Sequence, residues 1–236
     1  MNHPHLLEVK HFDKKFRLGS AGDGGYVIAD LEGGYDCYIS AGVGEDESFS
    51  RDFISKYGLN ASNSVAYDAT IHQYPHHYTQ DITFVRKNVG TVNGEHTTNF
   101  SQWTDKYSNI FLKMDIEGWE YAWLFGQTEE QLLKFKQIAI ELHGLTSDGY
   151  GCDYNDKIKC LQKLANTHYI IHAHGNNCGG RDGHRPDLLE ITFVRKSEFA
   201  EPPASNTVSL PIHGLDFPNG THMPDFVLNY YPFIGR

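Results

Sequence analysis

The sequence has 236 residues, with 20 lysines and arginines against 30 aspartates and glutamates, which gives a formal net charge of −10 when the histidines are neutral. A hydrophobic fraction of 39% with 13% aromatic residues excludes a disordered chain, and no segment approaches the ~18 uninterrupted apolar residues of a membrane helix. The acidic balance provides no basic stripe for phosphate contacts, so we expect neither a nucleic-acid nor a membrane partner.

The amino-terminal residues predict a cytoplasmic protein. His3, His5 and Glu8 stand where a signal peptide would have a basic start followed by an apolar stretch. The four cysteines form no C-x-x-C pair, and we expect them to be free thiols.

Short apolar, β-rich stretches alternate along the chain with polar or helical ones, which favours an α/β fold with a mainly parallel sheet. Glycine-, asparagine- and aspartate-rich residues 176–186 predict a loop, which makes the last strand antiparallel. The predicted strands are 35–41, 64–67, 82–89, 109–114, 137–141, 168–173 and 188–195. The predicted helices are 46–56, 119–124, 129–136 and about 154–165.

These elements predict a single domain with a Rossmann-like, doubly wound, seven-stranded sheet, mainly parallel with an antiparallel last strand. Its core covers residues 31–196. An amino-terminal segment, 1–30, and a carboxy-terminal extension, 197–236, are expected to wrap over the sheet or cover a pocket.

The strongest local signal is a strand that leads into a G-x-G turn and then a helix. Ser40, Ala41, Gly42 and Gly44 form this turn, where glycines let the backbone approach a ligand closely. A dinucleotide site would have a third glycine where this sequence has Glu47, and two more acids precede it; three carboxylates repel a pyrophosphate. A nucleoside cofactor with a positive charge and no phosphate fits better, and S-adenosylmethionine is the common one.

Asp68 ends the next predicted strand, 24 residues after Gly44. That spacing is close to the ~20 residues expected for a carboxylate that binds ribose hydroxyls. An aspartate after a strand is also common as a turn residue, but position and residue type together favour a cofactor contact.

Polar side chains also follow the fourth and fifth predicted strands. Asp115 ends the fourth, and Glu141 and His143 end the fifth. Adjacent strand ends of a doubly wound sheet open on the same crevice, so we expect these three side chains to converge beside the cofactor as a reaction centre.

Several segments together resemble a known family, the FkbM-like methyltransferases. They are 39–49, the string Lys-Met-Asp-Ile-Glu-Gly at 113–118, 141–144 and the strand at 188–194. An uncharacterised methyltransferase-like branch with a G-x-G-x-D/E turn looks closer still, and residues 17–19 and 22–27 also look like that branch. The resemblance covers roughly residues 17–195 and departs from the general pattern at Ser40 and Asp46.

The resemblance implies a class I methyltransferase fold and an enzyme that uses S-adenosylmethionine, often with an oxygen acceptor. Sugars and polyketide-like natural products are among the substrates of the family, so it implies a small-molecule or glycan acceptor. The cofactor-binding residues would be Ser40, Ala41, Gly42, Gly44, Asp68 and Asp115.

Methyl transfer to a hydroxyl requires an aligned acceptor oxygen and removal of its proton. In one alternative, Asp115, Glu141 and His143 bind Mn²⁺ or Mg²⁺, which lowers the pKa of the hydroxyl, in a way similar to metal-dependent O-methyltransferases. In the other, His143 is the general base and Asp115 or Glu141 orients it. The sequence leaves both open.

Four further residues are candidates for the acceptor side. His174 and Asn176 follow the sixth strand, and Asp23 and Tyr26 flank a Gly-Gly turn that could cover the site. Hydrogen bonding within loops and an ordinary turn are the alternatives. A histidine cluster at 72–77 is interpreted as a solvated loop because its spacing is irregular for a metal site.

We therefore predict an S-adenosylmethionine-dependent O-methyltransferase that acts on a carbohydrate hydroxyl. A catalytically silent binding or scaffold module on the same fold is the first alternative. A nicotinamide-dependent oxidoreductase is the second, disfavoured by the acidic turn.

Overall fold

A computed structural model describes residues 3–75, 81–146, 148–183 and 185–235. Among these residues no helix is both long and apolar enough to cross a membrane.

Short 3₁₀ helices span Pro4–Leu7 and Lys196–Glu198. The helices are α1 Ser48–Tyr57, α2 Ser101–Thr104, α3 Glu120–Gly126, α4 Glu129–Leu132 and α5 Tyr154–Thr167. The strands are β1 Lys15–Leu18, β2 Tyr26–Ala29, β3 Cys37–Ala41, β4 Ser64–Tyr67, β5 Thr83–Val85, β6 Asn88–Val89, β7 Thr97–Thr98, β8 Ile110–Met114, β9 Phe135–His143, β10 His168–Gly175, β11 Arg181–Asp182, β12 Arg185–Pro186 and β13 Leu188–Arg195.

The central sheet has seven strands in the order β10-β13-β9-β8-β3-β4-β5. The strands from β9 to β5 are parallel, and β13 pairs antiparallel with both β9 and β10. This confirms the predicted α/β, Rossmann-like, seven-stranded fold, mainly parallel with an antiparallel last strand. The strand order reverses at β3, between β4 and β8, and such a switch point opens a crevice at the carboxyl ends of the strands.

Alternate residues of the central strands face two separate apolar layers. Ile39 and Leu112 pack on the side of α3, α4 and α5, where Trp123 is fully buried. Tyr38 and Phe111 face α1 and the hairpin of β1 and β2. Both faces are therefore covered, which is why the strands are apolar along their whole length.

Helix α1 ends where the sequence predicts, but its N-cap differs from the prediction. Gly58 ends the helix in the left-handed region at φ 64°, as predicted. The expected cap, Asp46 or Ser48, is replaced by Glu47, whose side chain makes no capping bond. Asp46 instead accepts a hydrogen bond from the Ser48 N–H at 2.8 Å.

Three predicted elements differ from the structure. The predicted strand 82–89 is two strands, because the Lys87 N–H bonds back to the Val85 carbonyl and β6 pairs with β7 outside the sheet. The helix predicted to reach residue 136 ends at Leu132, because Phe135 is fully buried and already begins β9. The predicted loop 176–186 contains the short pair β11 and β12.

Both flanks pack onto the core. The hairpin of β1 and β2 lies against the sheet, where Gln137 bonds the Ala29 N–H and carbonyl and Thr192 donates to the Val27 carbonyl. In the extension, Leu210 and Leu228 are fully buried. The amino-terminal segment thus contains a β-hairpin that is hydrogen-bonded to side chains of the central sheet.

Candidate active site

A cavity of about 600 Å³ opens at the carboxyl ends of β3, β4 and β8, at the switch point of the sheet. Gly42, Asp68 and Asp115 line it, together with Glu117 and Trp119 from the segment that precedes α3. Residues 87–92 and Thr97 also line it. Its volume lies within the range of about 300–1,000 Å³ that small-molecule sites occupy.

Gly42 is fixed by close backbone packing. Its φ is +83°, and a Cβ there would lie 1.6 Å from the Asp115 carbonyl oxygen. The Gly42 N–H donates to the Tyr67 carbonyl, and the Asp115 N–H donates to the Ala41 carbonyl, both at 2.9 Å. Only glycine fits here, and its turn holds the ends of β3, β4 and β8 side by side.

The predicted cofactor residues divide into two groups. Gly42, Asp68 and Asp115 line the cavity, whereas Ser40 and Ala41 are fully buried in β3. Gly44 lies in the following turn and does not line the cavity; a Cβ there would find its nearest neighbour 3.9 Å away. The strand ends, rather than the strand itself, therefore face the cavity.

Asp68 is a turn residue, and its contact with a cofactor stays a prediction. Its Oδ2 accepts from the Val43 N–H at 2.9 Å, and its Oδ1 accepts from the N–H and the hydroxyl of Thr70, both at 2.6 Å. It is a turn residue that joins the ends of β3 and β4, and it lines the cavity. Oδ1 already accepts two hydrogen bonds, whereas Oδ2 retains a lone pair that can accept from a ligand.

Three carboxylates lie in adjacent positions across the sheet, and we call Asp115, Glu141 and Glu190 the acid row. Glu141 pairs with Glu190 in the register of β9 and β13, and Asp115 directly follows β8, whose Met114 pairs with Ile140. Asp115 Oδ1 is buried without a hydrogen-bond partner among the described residues. Burial, together with the charges of Asp115 and Glu190, raises the pKa of Glu141. A proton or a bound cation would therefore relieve the repulsion between the negative charges of the acid row.

The turn that follows Asp115 is strained. Glu117 has φ 55°, unusual for a residue other than glycine, and Gly118 has φ 99°. Glu120, which is fully buried, accepts from the N–H groups of Ile116 and Gly118 through Oε1, each at 3.1 Å. A strained backbone conformation persists only where the surrounding structure holds it in place. Such conformations are found most often at functional sites.

His143 lies among carboxylates on both sides of its ring. Nδ1 is 3.1 Å from Glu120 Oε1, and Nε2 is 3.4 Å from Glu117 Oε2 and 3.6 Å from Glu141 Oε2. Burial opposes the charged form, but the hydrogen bond and charge of Glu120 outweigh it, and the pKa of His143 is raised. A neutral ring would direct one lone pair at a carboxylate, so the site favours a proton or a cation at Nε2.

Glu120 was not among the predicted site residues. Its side chain accepts from N–H groups of the turn that precedes α3 and contacts Nδ1 of His143, whose orientation was expected to depend on Asp115 or Glu141. The signal available in the sequence was the second glutamate of the string 117–120, which stands at the start of α3.

A potential metal-binding group is formed by Asp115, Glu117 and His143, whose candidate ligand atoms all lie within 4.8 Å of one another. Glu141, the expected third member, instead accepts from Asn176 Nδ2 at 2.6 Å. The donors fit a divalent cation: two carboxylates, one with a buried unpartnered oxygen, and an imidazole whose other nitrogen faces a carboxylate.

The four acceptor-side candidates lie around the acid row. Tyr26 donates to Asp115 Oδ2 at 3.4 Å, and Asp23 is exposed and accepts from Asn219 at 3.3 Å. Both ring nitrogens of His174 face carboxylates, at 3.0 Å from Glu190 and 2.9 Å from Asp225. These contacts outweigh burial and raise the pKa of His174 to about 10.

Asn176 is held between Glu141 and the Cys178 N–H, so it positions a member of the acid row. Direct contact of these candidates with a substrate stays a prediction. In the histidine cluster, His76 and His77 lie outside the described residues.

Comparisons with known proteins give limited similarity. No protein-family model matches the chain, and no curated protein matches it. Among solved structures, a TehB-like SAM-dependent methyltransferase from Corynebacterium glutamicum is similar with 14% identity and a TM-score of 0.39, over 69% of this chain and 82% of that chain. The resemblance to FkbM-like methyltransferases stays a prediction.

Proposed function

We propose that this protein is an S-adenosylmethionine-dependent O-methyltransferase whose acceptor is a hydroxyl group of a sugar or glycan. The observation that carries the proposal is the cavity at the switch point of the sheet, with Gly42 and Asp68 on its wall and Asp115 shared with the acid row. The sheet order and the resemblance of 113–118 and 141–144 support the same assignment.

The residues of the cavity fit this cofactor. Asp68 would bind the ribose hydroxyls, and the apolar side chains of Val89, Ile116 and Trp119 would contact the adenine. The carboxylates around the turn favour a cationic ligand over a pyrophosphate. When bound, the cofactor supplies an electrophilic methyl group on its sulfonium.

The acid row and His143 would act on the acceptor. Carboxylates and the Asn176 amide are suited to hold hydroxyl groups, which both donate and accept hydrogen bonds. For proton removal two alternatives remain. Asp115, Glu117 and His143 would hold Mn²⁺ or Mg²⁺, which lowers the pKa of a bound hydroxyl, and the imidazole favours Mn²⁺. Alternatively, His143 accepts the proton while Glu120 orients it.

The first test is calorimetric titration of the EDTA-treated protein with S-adenosylhomocysteine. Micromolar binding supports the cofactor class, and no binding favours the scaffold module. Thermal protection by NADH but not by S-adenosylhomocysteine would instead favour an oxidoreductase.

Titration with Mn²⁺ and Mg²⁺ then separates the two mechanisms. A metal heat that is lost in Asp115→Asn and Glu117→Gln supports the metal mechanism, with Glu95→Gln as control because Glu95 is 88% exposed. Loss in Glu141→Gln as well would restore the predicted set of Asp115, Glu141 and His143. No metal heat in the wild-type protein favours His143 as the base.

A further inference from the structure

Residues 211–227 of the carboxy-terminal extension form a loop that is closed at its base by apolar packing. Leu210 and Leu228 are fully buried, and their backbones bond to each other. Asp216, early in the loop, lies 2.7 Å from His172 and accepts from the Ile212 N–H at 2.6 Å. Buried side chains and hydrogen bonds therefore anchor this base.

The tip of the loop, residues 217–225, is held mainly by polar contacts, and we call it the strap. The Asn177 side chain, which is buried on the core, accepts from the Gly220 N–H at 2.7 Å. It also donates to the carbonyls of Gly220 and Met223 at 2.8 and 2.9 Å. Residues 221–224 are exposed. Hydrogen bonds of this kind exchange for water at small net cost.

The strap covers the outer end of the acid row. Asn219 donates to Glu190 Oε1 at 2.6 Å and to Asp23 at 3.3 Å, and Asp225 faces His174 at 2.9 Å. Under this cover, the side chains of Glu190 and Glu141 are only 8% and 7% exposed. Asn219 Oδ1 is buried without a partner among the described residues, so it points to a missing donor such as a hydroxyl.

We propose that the strap is a lid over the acid row: it opens about its apolar base by exchanging its polar contacts for water, and so admits the substrate that receives the methyl group. Asn219 then accepts a hydrogen bond from a hydroxyl of that substrate when the strap closes. The inference rests on the proposed function only in naming the occupant. No strap residue lines the 600 Å³ cavity, so cofactor binding does not require the strap to open.

A disulfide can lock the strap in the closed position. A Cβ added at Gly220 lies 2.7 Å from the Sγ of Cys178, an exposed free cysteine, and Gly220 has no positive φ. In Gly220→Cys, oxidation therefore links the strap to the core through the native Cys178. Reduction of the same protein provides the open reference.

The readout is labelling of carboxyl groups by a carbodiimide with glycinamide, followed by peptide mass spectrometry at Glu190 and Glu141. We expect labelling in the reduced Gly220→Cys protein, its loss on oxidation and its return on reduction. The control combines Gly220→Cys with Cys178→Ser, which cannot form the disulfide, and its labelling should not respond to oxidant. Equal labelling of the locked and reduced proteins overturns the proposal.

Asn177→Ala provides a second test that needs no disulfide. It removes three hydrogen bonds to the strap, so the labelling of Glu190 should rise above that of the wild-type protein. No rise in a folded Asn177→Ala protein contradicts the lid. S-adenosylhomocysteine titration of each variant is a separate readout, so failure of the proposed function and failure of the lid remain distinguishable.

Discussion

The cavity beside Gly42 and the acid row lie at the same edge of the sheet, but they are assembled differently. The cavity wall at Gly42 and Asp68 is fixed by backbone hydrogen bonds between neighbouring strand ends. The acid row depends on side chains from β8, β9 and β13 and on contacts from residues 219 and 225 of the extension. The comparison shows that backbone contacts between adjacent parallel strand ends fix one half of the site, whereas the other half depends on side chains that also come from the carboxy-terminal extension.

The two regions also differ in electrostatics. Asp68 is surrounded by N–H and hydroxyl donors, so its charge is satisfied by neutral groups. Burial and the neighbouring carboxylates of the acid row raise the pKa of Glu141, and the His174 imidazolium, with its pKa raised to about 10, is a nearby compensating charge. The first region is preformed, whereas the second depends on protons or cations.

The largest effect should come from Gly42→Ala, which tests whether the cavity wall is rigid. An alanine at φ +83° would place its Cβ 1.6 Å from the Asp115 carbonyl oxygen. We expect a loss of about 2–5 kcal/mol in the free energy of unfolding and loss of S-adenosylhomocysteine binding, measured by urea denaturation and calorimetry. Gly44→Ala is the matched control, because its nearest neighbour would be 3.9 Å away. Equal stability of the two variants would refute the close packing.

The sequence predicted the first region better than the second. Gly42, Asp68 and Asp115 could be placed because a strand, its end and the following turn are encoded by neighbouring residues. Glu141 and His143 were placed for the same reason. The true partner of His143 was missed, because a glutamate at a helix start reads as a cap and only the packing of α3 against β9 brings Glu120 to the ring.

For the carboxy-terminal extension, the sequence predicted only that it would wrap over the sheet or cover a pocket. Asp225 is 51 residues from His174, and nothing in its local pattern indicates which strand it reaches. The break between β5 and β6 was missed as well, because residues 82–89 keep a strand-like composition through the turn at Val85. Long-range pairing and single backbone bonds decide these features, and a sequence pattern carries little information on either.

His174→Gln tests whether the second region depends on a buried charge. The folded pKa of His174 is about 10, above the ordinary value of about 6.5, so its contribution is complete below pH 6.5 and is lost as pH rises toward 10. We expect the variant to be less stable by about 3 kcal/mol near pH 6.5, with the difference shrinking toward pH 10 in urea denaturation series. His172→Gln is the control, because burial lowers the pKa of His172 and it is neutral in this range. Parallel curves for wild type and His174→Gln would contradict the assignment.

Asp68→Asn asks whether the preformed wall recognises the cofactor by charge. An amide keeps an acceptor for the Val43 N–H but loses the charge and one acceptor. We expect S-adenosylhomocysteine affinity to fall by about 10- to 100-fold, corresponding to about 1.5–3 kcal/mol. Asp36→Asn is the control: Asp36 accepts from the Asn109 N–H and lies just before β3, at the opposite edge of the sheet. Equal affinity of the two variants would leave Asp68 as a turn residue alone.

Trp119→Ala should give the smallest effect of these variants on cofactor affinity and on stability. It tests whether Trp119 contacts the ligand or only supports the wall of the cavity. Trp119 lines the cavity but is 62% exposed, so its removal costs little packing. We expect the free energy of unfolding to change by less than about 0.5 kcal/mol, while S-adenosylhomocysteine affinity falls about fivefold through a lost aromatic contact of about 1 kcal/mol. Phe125→Ala is matched, because Phe125 is 55% exposed on α3 and does not line the cavity. If both substitutions leave affinity unchanged, the adenine does not lie against Trp119, and the wall formed by residues 87–92 becomes its expected position.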